Sequence, residues 1–345
     1  MDDLDSASPT RGDDATTRPR LEDVAARVGL SMASVSLVLR NVAGPSERTR
    51  QRVLRAAAEL GYRPDRTASA LASRRSRLLG VTVDIRSPFQ AELVEHLHTA
   101  AEAVGYDLVL SALTWSRGES AAVETLLAFR CEALILLGPV SSAPALADLH
   151  RQAPVISVGR RITEADLDVV RTADDDGVGQ IVSHLASSAH RRIVYVDGGK
   201  GAIATDRRRG YRDAMRRHGL DGHIRVLQGD HTESAGERAA RHLLAGGALP
   251  TAVVAYNDQS AIGLLTALRK AGVDVPGTVS VAGYDDDTLS RLACFDLTTV
   301  SQNAEEQARR AVMAVIERIE QGRTEPREIV LAPSLVVRGT TARAG

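Results

Sequence analysis

Leu21-Glu22-Asp23-Val24-Ala25-Ala26-Arg27-Val28-Gly29-Leu30-Ser31-Met32-Ala33-Ser34-Val35-Ser36-Leu37-Val38-Leu39 is the stretch on which the fold turns. Leu21, Val24, Ala25 and Val28 recur at helical spacing and make one apolar face. Gly29 then supplies the residue a helix end prefers, and Ser31 can accept a bond from an unpaired amide of the next turn. A second helix would bury Val35, Val38 and Leu39 and turn Met32, Ala33, Ser36 and Leu37 outward. Two helices joined by so short a turn are the layout that sets a helix into the major groove of DNA, although the spacing alone fits any small helical hairpin.

Working outward, Ser46 begins a third helix with apolar Val53, Leu54, Ala57 and Leu60 and a stop at Gly61. Nine arginines stand against five acids between Pro19 and Arg66, in a chain whose net charge is −1, and Arg74, Arg75 and Arg77 extend the basic run. A basic three-helix unit of this kind is the electrostatic footprint of a phosphate-backbone binder.

These residues resemble the LacI/GalR family of transcription regulators. The resemblance rests on Leu21-Glu22-Asp23-Val24-Ala25, Gly29-Leu30-Ser31, Ser34-Val35-Ser36 and Val38-Leu39, then on Glu59-Leu60-Gly61-Tyr62-Arg63-Pro64-Asp65 and Ala70-Leu71-Ala72. It runs to about Thr340 and omits the first eighteen or so residues. It implies an N-terminal all-α helix-turn-helix domain followed by an α/β two-lobed periplasmic-binding-protein-like effector domain, with parallel sheets flanked by helices. The expected DNA-binding residues are Ser31, Met32, Ala33, Ser34, Ser36, Leu37, Arg40, Arg66 and Leu71. In much of the family the position of Leu37 is an arginine, so direct readout here falls to apolar contacts with thymine methyl groups.

Residues 1–18 hold Asp2, Asp3, Asp5, Asp13 and Asp14 among small polar residues without periodicity and read as a disordered tail. Residues 19–63 form the helix-turn-helix domain, and 64–76 a hinge too short for an isolated stable helix. On its own residues the hinge is an interdomain linker; the resemblance implies that it folds on DNA, with Leu71 wedged into the minor groove. The effector-binding and dimerisation domain covers 77–340, with lobe one at about 77–171 and 302–324 and lobe two at about 172–301 and 325–340. No apolar run reaches membrane-spanning length and the N-terminus is acidic, so a cytoplasmic, nucleoid-associated protein is expected. Cys131 and Cys294 are too few and too isolated for a disulfide framework or a zinc site.

From Leu78 short apolar runs alternate with helical patterns: a strand over Leu78 to Ile85, a helix over Gln90 to Val104 and a strand over Tyr106 to Leu113 open the series. A second set follows Val169, with helices from Gly177 and Arg208, and a last helix from Ala304 to Glu320 and strand from Ile329 to Val337 complete the lobes. This βαβ alternation predicts parallel sheets covered on both faces.

Open parallel sheets place ligands at the carboxyl ends of their strands. Polar clusters fall there at Asp206 to Arg209, at Asn257 and Asp258, and at Asp285, Asp286 and Asp287. An arginine with carboxylates and an amide suits a neutral polyhydroxylated ligand, although each cluster alone reads first as a solvated loop or helix cap. The resemblance assigns effector binding to Arg207, three before Gly210-Tyr211, and to Asn257, Asp285 and Gln302. His231, after Gly229-Asp230, stands where sugar-binding members carry a stacking aromatic.

Three functions compete for these residues. A solute receptor would have no use for a basic helix-turn-helix. An enzyme needs a constellation that is missing: there is no phosphate loop, Gly-x-Ser-x-Gly or His-Glu-x-x-His. The expectation is a sequence-specific DNA-binding repressor, with no catalytic residues, cofactor or metal and no membrane partner. It would act as a homodimer on a double-stranded, pseudo-palindromic operator and respond to a small, sugar-like effector. Activation would use the same residues.

Overall fold

In the computed structural model, residues 19–39, 42, 44–62 and 75–345 are described. The chain divides into two compact units, 1–76 and 77–345.

The first unit contains α1 Leu21–Val28, α2 Met32–Leu39 and α3 Glu47–Leu60. Gly29 and Gly61 end α1 and α3 in the left-handed conformation, where a side chain would be strained. Ser31 Oγ accepts from Ser34 N at 3.2 Å and Ser46 Oγ from Thr49 N at 3.3 Å, so both expected N-caps form. Val24, Val28, Val35, Val38, Val53, Ala56 and Ala57 are among the residues that make the core. In the core, Leu54 and Leu39 differ from the reading of the sequence: Leu54 is 48% exposed, and Leu39 is half-buried against the core rather than within it.

In the second unit, lobe one is a parallel sheet in the order β11-β5-β4-β3-β1-β2. Its strands are β1 Leu78–Asp84, β2 Asp107–Leu113, β3 Ala133–Leu137, β4 Val155–Val158, β5 Asp168–Thr172 and β11 Glu328–Leu331. Helices α4 Pro88–Ala103 and α11 Ala304–Ile319 pack on one face, with Leu93, Leu97, Val312 and Val315 against Val81, Ile135 and Ile156. Helices α5 Glu119–Ala128 and α6 Ala143–His150 cover the other through Leu126, Leu146 and Leu149. The fully buried run of β3, Ala-Leu-Ile-Leu-Leu, is what a strand covered on both faces requires.

Lobe two has the parallel order β7-β6-β8-β9, from β6 Ile193–Val196, β7 Arg225–Leu227, β8 Ala252–Ala255 and β9 Ser280–Ala282. Helices α7 Asp174–Ser187 and α8 Ala202–Arg217 cover one face, and α9 Glu233–Ala245 and α10 Asp258–Lys270 the other. Beside it, β10 Thr299–Ser301 pairs antiparallel with β12 Ser334–Val336.

The chain crosses between lobes after β5, after β10 and after β11. The expected single strand from Ile329 to Val337 is therefore two, and the boundary at 325 is corrected: Glu328–Leu331 pairs with Val169–Thr172 in lobe one. Pro333 lies between the two strands and brings no amide hydrogen to a continuing ladder. At the other end, Ala344 N donates to Ser188 O at 2.8 Å, so lobe two extends past 340. Helices α7 and α8 begin three and six residues before their expected starts at Gly177 and Arg208.

Candidate functional site

The carboxyl ends of β1, β3 and β4 in lobe one and of β6, β7 and β8 in lobe two carry the loops that meet between the lobes. Gln259 Nε2 of α10 donates to the Arg86 carbonyl at 2.9 Å, and Arg291 pairs with Glu92 at 2.9 Å. Ile203 Cδ1 faces Gly138 and Gly159, where an added methyl would sit 4.0 and 3.7 Å away.

The centre of the polar cluster at the lobe-two strand ends is Arg207. It projects from α8, which approaches α7 so closely that a β-carbon at Gly210 would lie 2.2 Å from the Asp175 carbonyl oxygen. Arg207 is 4% exposed. Its Nε donates to Asp174 Oδ1 at 2.7 Å, one Nη to the Tyr256 carbonyl at 2.7 Å and the other to Asp285 Oδ1 at 3.4 Å. The guanidinium lies over the Tyr284 ring at 3.7 Å and the Tyr256 ring at 4.7 Å. One N–H on each terminal nitrogen takes no part in these bonds.

Asp285 holds a positive φ of 122° and also accepts from Gln302 Nε2 at 2.7 Å. Burial pushes its carboxyl up to about 7, against the pull of Arg207 and the Gln302 hydrogen bond. Burial likewise raises Asp174 despite Arg207. Asp258, the buried first residue of α10, is raised by burial and by Asp285 and Asp287; it accepts from Thr299 Oγ1 at 2.6 Å and from Asp287 N at 3.0 Å.

Of the expected effector residues, Arg207, Asp285 and Gln302 come together directly. Asn257 follows Tyr256, whose carbonyl Arg207 holds, and half of its amide's capacity is used within lobe two: Oδ1 caps α10 by accepting from Ser260 N at 3.0 Å, and Nδ2 donates to the His231 carbonyl at 3.0 Å. The exposed His231 stands on the loop before α9, near enough to Asp84 for its charge to act on that carboxylate. Asp286 and Asp287 are structural: Asp286 pairs with Arg338 at 2.5 Å, and Asp287 caps the turn at Leu289 and Ser290.

Sequence reasoning missed Asp174 and the lobe-one wall. Asp84 accepts from Arg86 Nε at 2.7 Å and Nη2 at 2.6 Å, and Arg86 in turn lies 4.0 Å from the centroid of the Trp115 ring. Burial raises the Asp84 carboxyl, but the Arg86 bonds and the nearby charges outweigh it and leave it below the usual carboxylate value.

In the first unit, Ser31, Met32 and Ala33 are exposed at the start of α2, while Ser34, Ser36 and Leu37 are half-buried. The outward aspect expected for Ser36 and Leu37 is thus only partial, because both flank the buried Val35 and Val38. Arg40, Arg66 and Leu71 lie outside the described residues. Among those described, no helix is long and apolar enough to cross a membrane, and no group of three or more His, Cys, Asp or Glu side chains could hold a metal ion.

Two family models match: bacterial regulatory proteins of the lacI family over residues 20–65, and the periplasmic binding protein-like domain over 182–341. The chain is 33% identical over 285 residues to the HTH-type transcriptional regulator GalR of Escherichia coli K12, covering 81% of this chain and 83% of that one. It is similar to the solved lac repressor dimer bound to operator and the anti-inducer ONPF, with 26% identity, a TM-score of 0.81, and 94% and 100% of the two chains covered. It is also similar to a transcriptional regulator CelR–cellobiose complex, at 29% identity, TM-score 0.68, and 94% and 100% coverage. A helix-turn-helix unit followed by two parallel-sheet lobes, matched along nearly its whole length, places this chain in the LacI family of DNA-binding transcription regulators.

Proposed function

We propose that this protein is a repressor whose operator affinity is set by a sugar-like effector held between the two lobes of each subunit of a homodimer. The observation that carries the reading is the Arg207 cluster. A cation with free N–H groups, two carboxylates and the Gln302 amide converge at the strand ends, and together they donate to and accept from hydroxyls. An effector that prefers one lobe arrangement shifts the population of the dimer, and the spacing of its two DNA-binding units with it. The cellobiose bound by one relative and the operator bound by another are in keeping with both halves of this reading.

On the DNA side, the reading set is Ser31, Met32, Ala33, Ser34, Ser36 and Leu37 of α2, with Arg40, Arg66 and Leu71 as backbone and minor-groove contacts. Selection of binding sites from random DNA with the purified protein should return a pseudo-palindrome. Saccharides are then screened for release of that DNA. Arg207→Ala and Asp285→Ala should keep operator binding and lose the response, because a buried polar group left unpaired costs about 1 to 3 kcal/mol. An unchanged response in both variants would take these residues out of the effector site.

A further inference from the structure

We propose that Trp115, stacked on Arg86, is a ready-made platform for the face of a sugar ring on the lobe-one wall of the cleft. It would supply the aromatic surface absent at His231, and the proposal rests on the effector reading above.

Trp115 follows β2 by two residues, at the same carboxyl edge of the sheet where Asp84 ends β1. The ring is 81% exposed, yet it is not loose: Arg86 lies 4.0 Å from its centroid, and Asp84 holds the guanidinium by two bonds of 2.6 and 2.7 Å. Gln259 of lobe two fixes the backbone of the same residue through the Arg86 carbonyl at 2.9 Å. One face of the indole is therefore occupied by a pinned cation, and the other is open.

The C–H face of a pyranose is apolar and carries the partial positive charge that the negative face of an aromatic ring attracts. Asp84, which holds the stacked Arg86 beside the platform, is of the kind that meets the hydroxyl rim of such a ring. Arg207 is buried in lobe two and Trp115 exposed on lobe one, so a ligand that reached both would have to span from one lobe to the other. The class this favours is a glycoside with more than one ring.

Trp115 is the only tryptophan in the chain, so intrinsic fluorescence reads this ring alone. The full-length protein is titrated with a library of common mono- and disaccharides, and binding is followed in parallel by calorimetry, which does not depend on the indole. The saccharide that binds should change the emission. Trp115→Ala should weaken it by about tenfold, which corresponds to about 1.4 kcal/mol, while Trp115→Phe should stay within about threefold. A saccharide that binds by calorimetry with no change in emission and with equal affinity for Trp115→Ala overturns the platform and leaves the effector reading standing. Emission that responds only to protein concentration marks a subunit contact at Trp115 and also overturns it. If no saccharide binds at all, the effector reading falls and the platform with it.

Discussion

Arg207→Met should destabilise the protein by an amount that grows with pH. Methionine keeps most of the apolar stem and removes the charge, leaving Asp174 and Asp285 buried without their cation. In the native protein Asp285 titrates at about 7, and Arg207 is what holds it from going higher. A carboxyl raised in the folded state contributes stability that is fully present below its unfolded value near 4 and is lost as pH rises through the folded value. Near pH 5.5 both proteins keep the Asp285 proton, so the variant loses mainly hydrogen bonds, at about 1 to 3 kcal/mol for a group left unpaired. Above pH 7 the native carboxyl ionises beside Arg207, whereas the variant must retain the proton or bury a bare charge. Each extra proton held by the folded variant steepens its decline by about 1.4 kcal/mol per pH unit. The penalty should approach the roughly 3 to 5 kcal/mol typical of a broken buried ion pair. Urea unfolding at about pH 5.5, 7 and 8.5 measures it, and Asp285→Asn in the same background should recover the Asp285 share of the high-pH part, leaving the share of Asp174, which also loses its cation. A penalty equal at pH 5.5 and 8.5 would refute the reasoning.

Gly236→Ala should lower stability by about 1 to 3 kcal/mol or more, since its β-carbon would fall 1.9 Å from the Ser260 carbonyl oxygen and force α9 from α10; a melting temperature within a degree of native would contradict this. Leu37→Arg should add a guanine preference at one symmetric pair of operator positions, worth roughly 1 to 3 kcal/mol, and site selection with both proteins checks it. A strong guanine requirement already present with Leu37 would remove the apolar readout. Sedimentation at micromolar concentration should give a dimer; a monomer or a tetramer would defeat the proposed assembly.

What could be read from the sequence was local. The end of α1 and both ends of α3 follow from Gly29, Ser46 and Gly61, because caps and left-handed glycines act within one turn. Leu54 was misplaced because helical spacing admits either Leu54 or Ala56 beside Val53 and Ala57, and only packing chooses Ala56. Asp174 was missed because Asp174-Asp175-Asp176 reads as a polar loop, whereas three acids are favoured in the first turn of a helix, which is where α7 puts them. Arg86 and Trp115 sit in connections with no periodicity to read, twenty-nine positions apart, and only the pairing of β1 with β2 brings them together.

Asn257 shows the deeper limit. The motif puts an amide at the end of β8, but a residue type does not say how much of its hydrogen bonding is already used. Here Ser260 N takes the amide oxygen and the His231 carbonyl takes a hydrogen of the amide nitrogen. Asn257→Ala would therefore remove an N-cap, at about 1 kcal/mol, and release the loop that carries His231. Its effect on a ligand reaches the site through α10 and that loop, where Gln259 and His231 stand, as well as through whatever bonding capacity the amide has left.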